Sequence, residues 1–167
     1  MTPDLFLRIA VTPALELLPE SLRSNEAKAF LVAICLQESQ LVRRRQMAGG
    51  PAHSFLQFEL GTVELVWKHE STKKAASAIC DTLSIPKAPL GVFVAMEYHD
   101  ILACYFGRLL LMTVPRPLPI KGDVENSWSE YVRTWRPGAV AKGGESAARA
   151  QMRWPGNYYD AWRVVQP

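Results

Sequence analysis

The chain has 167 residues, of which 49% are hydrophobic and 21% charged, and its formal net charge is +3 at pH 7. That excludes a disordered polymer and predicts one domain, residues 1–167, with a buried core. The weak positive balance suits an anionic polymer as partner without requiring one.

Thr2-Pro3 and Thr12-Pro13 each read as a helix cap followed by a first-turn proline. They predict two short helices, Asp4–Ala10 and Ala14–Leu18, lying as a cover on the element that follows. The N-terminal stretch has no basic leader, and Arg8 and Pro13 interrupt its apolar run, so no secretory signal is expected. No run approaches the roughly 20 apolar residues of a membrane span. Cys35, Cys80 and Cys104 lie in apolar or small-residue runs, with no Cys-x-x-Cys pair and no His at ligand spacing. Three buried, reduced thiols are predicted, with no metal and no other cofactor.

Ser24 can cap the next helix with its hydroxyl. Downstream, Ala27, Leu31, Ile34 and Leu41 recur at helical spacing, widened by Phe30 and Cys35. Glu38 falls four residues after Ile34 and seven after Leu31, so a continuous helix turns it toward the core. Burial disfavours the charged form of a carboxyl, and the negative end of the helix dipole acts in the same direction. Glu38 is therefore a candidate general acid working near neutral pH; a solvated helix-end Glu is the alternative. Arg43-Arg44-Arg45 then reads as a cationic cap on the dipole rather than a nucleic-acid patch, because no aromatics are interleaved to stack bases.

Gly49-Gly50-Pro51-Ala52 forms a turn cluster, followed by Ser54-Phe55-Leu56-Gln57-Phe58. Glu38-Ser39, a spacer, then Gly50-Pro51-Ala52-His53-Ser54-Phe55-Leu56-Gln57 resembles the Glu-Ser … Gly-Ala-x-Gly-Leu-Met-Gln signature of soluble lytic transglycosylases and goose-type lysozymes. Ser54 stands where that family often has Gly, and Phe55-Leu56 stands for Leu-Met. The resemblance implies a mainly α, lysozyme-like helical domain with a small loop or β element beside the catalytic helix. It implies Glu38 as the catalytic acid, and Ser39, Phe55 and Gln57 among the residues that bind a glycan. Glu59 lies two residues on. An extended chain would place it on the face of Gln57 as a second carboxylate, while equally it can start the next helix, where an acid suits the dipole.

Gly61-Thr62 opens a helix through Val63, Val66 and Trp67. Ser71-Thr72 caps one that runs to about Leu83, and Leu90–Tyr98 is a short apolar helix. Asp100–Met112 is apolar almost all round, which predicts the central helix, with Gly107 admitting a close neighbour. Pro115-Arg116-Pro117-Leu118-Pro119 is extended. Trp128, Tyr131, Val132 and Trp135 share a helical face, either in the core or, for Tyr131 and Trp135, facing a cleft. Tyr131 to Gly138 loosely resembles the Tyr-x-x-x-Tyr-Asn-x-Gly element of the same family, whose aromatic supports the acid. Val140–Arg149 reads as a loop, and Trp154 to Trp162 as an aromatic tail that folds back over the domain as core or cover, with a cleft wall as the alternative.

The function implied by the resemblance is a muramidase acting on peptidoglycan glycan strands, without nucleic acid as a partner and with no oligomeric state legible. With one Glu it would cleave as a lytic transglycosylase, and with Glu59 as partner it would hydrolyse. A single domain without a leader resembles bacteriophage enzymes, made in the host cytoplasm and acting on the wall through lysis or from the virion. A catalytically degenerate structural or wall-binding protein of the same fold is the alternative.

Overall fold

A computed structural model describes residues 1–166. They are mainly α-helical, and among them there is no β-strand. The helices are α1 (Pro3–Phe6), α2 (Thr12–Glu16), α3 (Asn25–Ser39), α4 (Leu60–Lys68), α5 (Lys73–Thr82), α6 (Pro89–Ala95), α7 (Asp100–Met112), α8 (Val124–Trp135), α9 (Gly138–Lys142) and α10 (Gly144–Val165). None of them is long and apolar enough to cross a membrane.

The two expected N-terminal helices are one helical run. Thr2 caps α1 as predicted, its Oγ1 accepting from the Leu5 amide at 3.3 Å. Thr12 caps nothing, because a π-helical turn over Leu7–Val11 carries the backbone from α1 into α2. The run buries Phe6, Ala10, Val11, Ala14 and Leu15 against the rest of the core. Its π turn lets one continuous element keep that face inward.

Ser24 is extended (φ −62°, ψ 161°), and its Oγ accepts from the Ala27 amide at 3.3 Å, opening α3. Every residue from Ala29 to Cys35 is buried, so α3 carries more than the predicted stripe. The expected central helix, α7, buries Leu102 through Leu111 and shares the interior with α3. The two approach at Gly107. A Cβ there would stand 2.8 Å from Leu31 Cδ2, 3.1 Å from Leu56 Cδ1 and 3.6 Å from Trp135 Cη2. A larger residue would have to displace well-packed side chains.

α10 is the main correction to the sequence reading. The Gly-, Ala- and Lys-rich stretch expected as a loop is the short helix α9 and the first two turns of α10. Pro155 lies inside α10 and removes one backbone donor, but the helix continues to Val165. Trp154, Tyr158, Ala161 and Trp162 are buried, and Trp154 meets Phe30 of α3 edge to face at 5.9 Å between ring centres. The tail is therefore core. The three cysteines are free and buried.

Candidate functional site

α3 ends at Ser39, one residue beyond Glu38. Gln40 and Leu41 both take the left-handed conformation (φ 51° and 55°), which turns the chain sharply and returns Leu41 to the core. Leu41 thus keeps its predicted burial without belonging to the helix. The one Ser39 hydroxyl proton faces two carbonyls, Phe55 at 2.8 Å and Cys35 at 3.0 Å, while its oxygen accepts from the Leu41 amide at 3.2 Å. Ser39 thereby ties the helix end to the following loop.

Residues 53–58 form a turn and not an extended segment. His53 and Phe58 exchange backbone hydrogen bonds of 2.8 Å each way, Gln57 is left-handed (φ 51°), and its amide donates to the Ser54 carbonyl at 2.7 Å. The alternation that would have put Glu59 on the face of Gln57 fails at that residue. Glu59 occupies the cap position of α4 and is exposed. Phe55 is also corrected. It is buried, meets Phe6 edge to face at 5.7 Å, and carries the Arg44 guanidinium 4.2 Å above its ring. It is a core residue and does not reach a cleft.

The arginine run does not cap α3, because the chain has already turned away. Arg44 clamps Asp100 with both guanidinium edges (2.6 and 3.2 Å), and Arg45 clamps Glu97 (2.8 Å). These pairs pin the first part of the loop to the α6–α7 connection and the start of α7.

A cleft of about 870 Å³ opens between the end of α3, this loop, α4 and the α8–α10 segment. Glu38, Ser39, Gln57, Glu59, Tyr131 and Trp135 all line it, so the fold gathers six of the seven residues singled out in the sequence, all but Phe55. The backbone is unusual here. Six of the seven non-glycine residues with positive φ are Gln40, Leu41, Ala48, Ser54, Gln57 and Arg136, all in the loop or at the end of α8. Such conformations cost free energy and concentrate at binding and active sites.

Glu38 is half-buried in the cleft wall. Tyr131 donates its phenol hydrogen to Glu38 Oε1 at 2.6 Å. Three influences act on the carboxyl. Burial raises its pKa, while the tyrosine hydrogen bond and the charge of Arg153 lower it; burial wins, and the value rises to about 7. Reciprocally, burial and the neighbouring carboxylate push the Tyr131 phenol far up, so it remains a donor. Tyr131 is fixed by a stack on Trp154, at 4.6 Å and 16° between planes, and by Trp128 at 5.4 Å. Trp135 donates its indole N–H to the Leu56 carbonyl at 2.9 Å and packs on Phe58, bracing the turn from the α8 side.

Two site residues were not foreseen. Gln37 is buried behind the cleft wall, donating to the Ala150 carbonyl at 3.0 Å and accepting from Asn157 at 2.7 Å, which locks α10 against α3. Arg153 lines the cleft from α10. The spacing Ser146, Ala150, Arg153 puts these residues on one face as soon as the segment is read as a helix, and that spacing was the available signal. Glu130, also buried, accepts from Arg133 at 2.7 Å and Thr134 at 3.1 Å and does not line the cleft.

No family model matches the chain, and neither a curated protein nor a solved structure matches it.

Proposed function

We propose that the chain is a peptidoglycan-cleaving muramidase with a lysozyme-like helical fold, acting by the lytic transglycosylase route. The observation that carries this is Glu38: a half-buried carboxyl with a pKa near 7, hydrogen-bonded to a neutral phenol in the wall of a cleft of about 870 Å³. Near neutral pH such a group is present both as acid and as base.

The steps follow from that dual character. Glu38 donates its proton to the oxygen of the β-1,4 bond between N-acetylmuramic acid and N-acetylglucosamine, and the bond from C1 to that oxygen breaks. The Glu38 carboxylate then takes the proton of the muramic 6-hydroxyl as its oxygen bonds to C1. A 1,6-anhydro ring closes and the acid is regenerated. Tyr131 holds the carboxyl in place and donates to whichever oxygen carries charge after the first transfer. Gln57 and Trp135 shape the wall on either side.

A hydrolytic version is kept open by one observation: Glu59 lines the same cleft. Hydrolysis needs a second carboxylate to activate water or to bond to the sugar. Glu59 is exposed at a helix start, whereas Glu130 is committed to Arg133 and Thr134, so the single-acid route is favoured.

Mass spectrometry of digested, purified peptidoglycan tests both levels. Anhydro muropeptide ends, lighter than reducing ends by one water, support the transglycosylase; reducing ends alone turn the assignment to hydrolysis. Sacculi left intact by folded protein would overturn the muramidase reading.

A further inference from the structure

The cleft carries more positive charge than its own residues neutralise. Arg45 and Arg133, at its edge, are spoken for by Glu97 and Glu130. Arg43, Arg136, Lys142 and Arg153 also line it, and among the described residues none of their side chains makes a hydrogen bond or an ion pair. Against these four cations the lining offers two carboxylates, Glu38 and the exposed Glu59.

Three of the four, Arg136, Lys142 and Arg153, come from the single stretch that runs from the end of α8 through α9 into α10. Arg136 is the C-cap of α8 and is left-handed, at φ 48° and ψ 52°. Helices ordinarily place Gly or Asn there, because a Cβ is disfavoured in that conformation. A charged residue held at this corner, beside two more free cations on the same side, gives the cleft a directional field. The aromatic residues lining the cleft do not offer faces to bases: Tyr131 and Phe58 are buried, and the Trp135 indole is bonded to the Leu56 carbonyl. The charges therefore lack the stacking platform that single-stranded nucleic acid uses.

We propose that Arg136, Lys142 and Arg153 form a carboxylate-binding subsite, and that the substrate is a glycan bearing acidic branches rather than a bare neutral chain. This rests on the glycan reading of the cleft and adds to it the part of the substrate that the α8–α10 side holds. In peptidoglycan the acidic branches are the stem-peptide carboxylates. Their attraction to the rim brings the chain into the cleft with its branches on the α8–α10 side, leaving the glycosidic bond beside Glu38.

The test uses the full chain and purified sacculi in two forms, intact and with the peptide carboxylates capped as glycinamides, which removes charge and keeps bulk. Sedimentation of the Glu38→Gln protein reads binding without cleavage. Capped sacculi should bind at least ~10-fold more weakly at low ionic strength, and the difference should collapse in about 0.5 M salt, where charges are screened within a few ångströms. In Arg136→Gln/Lys142→Gln the ratio of binding to the two forms should fall toward one. Equal binding of both forms by the parent protein would overturn the subsite, as would an unchanged ratio in the folded double variant. Tighter binding of a single-stranded oligonucleotide than of intact sacculi would also overturn it, assigning the rim to nucleic acid. Charge-dependent binding without cleavage by the wild-type chain would remove the muramidase and leave the subsite. Cleavage of both forms at one rate would do the reverse.

Discussion

The loop from Gln40 to Glu59 is anchored at two places by opposite means. A few residues after it leaves α3, Arg44 and Arg45 meet Asp100 and Glu97 in close ion pairs, so each carboxylate has a guanidinium against it. At its near end Glu38 has a phenol, and the nearest cation of consequence, Arg153, forms no ion pair with it. The Glu97 pKa is lowered, chiefly by the Arg45 hydrogen bond, while that of Glu38 is raised by burial. What decides a carboxyl's behaviour here is the depth at which it sits together with the partner it has been given. A paired carboxylate fastens the chain, and one answered only by a neutral donor is left able to exchange a proton.

Replacing each acid by its amide separates these roles. Glu38→Gln should lower wall cleavage by at least ~10²-fold, the usual scale for a lost general acid. The same change should stabilise the fold at pH 8 by roughly 2 kcal/mol and hardly at all at pH 4. The sign follows from the raised pKa: between 4.5 and about 7 the folded state binds the proton better than the unfolded state does. Wild-type stability therefore falls as pH rises through that window, and the Gln variant escapes the loss. Urea titrations at the two pH values measure it, and a variant less stable at pH 8 would show that Glu38 is a fastener after all.

Tyr131→Phe is the next largest change. It removes a hydrogen bond to a charged acceptor, worth about 1–2 kcal/mol, and with it an influence that lowers the acid's pKa. The alkaline limb of the pH–rate profile should move to higher pH, with activity reduced about 10-fold. A limb that stays put would separate Tyr131 from the titrating group.

Glu97→Gln should do the opposite. Its carboxylate has a lowered pKa, so its contribution is present above the unfolded value and is lost as pH falls through the folded one. The variant should melt roughly 2–4 °C lower at pH 7, with the gap closing in acid, and its pH–rate profile should keep the wild-type limb. A shifted limb would couple the two anchors and undo the contrast between them. The smallest effect is chemical: neither anchor uses a covalent link, so reductant should leave the melting temperature unchanged. Thiol titration should count three groups in denaturant and almost none in the native state, as the burial of Cys35, Cys80 and Cys104 requires.

The cap at Ser24, the depth of α7 and the close approach at Gly107 were legible from spacing and residue type, whereas the gathering of Glu38, Tyr131 and Gln57 in one cleft was implied by the family resemblance. The reason given for Glu38 was only partly the right one. α3 is buried nearly all round, so the acid is half-buried because it stands where the helix emerges into the cleft, and the phase of one stripe matters less. Whether the chain runs extended through Gln57 was not legible, because the sign of φ at a glutamine leaves no trace in composition. α10 was misread because Gly143-Gly144 and Pro155-Gly156 signal breaks, while the spacing of Trp154, Tyr158, Ala161 and Trp162 signals a helix. The burial of those side chains outweighed the local propensities. Arg136, Lys142 and Arg153 carry no pattern in sequence, because only the fold brings them to one side.

The hydrogen bond from Tyr131 to Glu38 joins residues 93 apart, and the Gln37–Asn157 bond spans 120. The cleft is therefore assembled from segments far apart in the described chain, and contacts of that span are costly to form early in folding. A nascent chain that has not yet released α10 holds the acid but neither Arg153 nor the Trp154 stack that fixes its phenol. Synthesis itself thus acts as a timer, with the site completed only when α10 is free to close on α3.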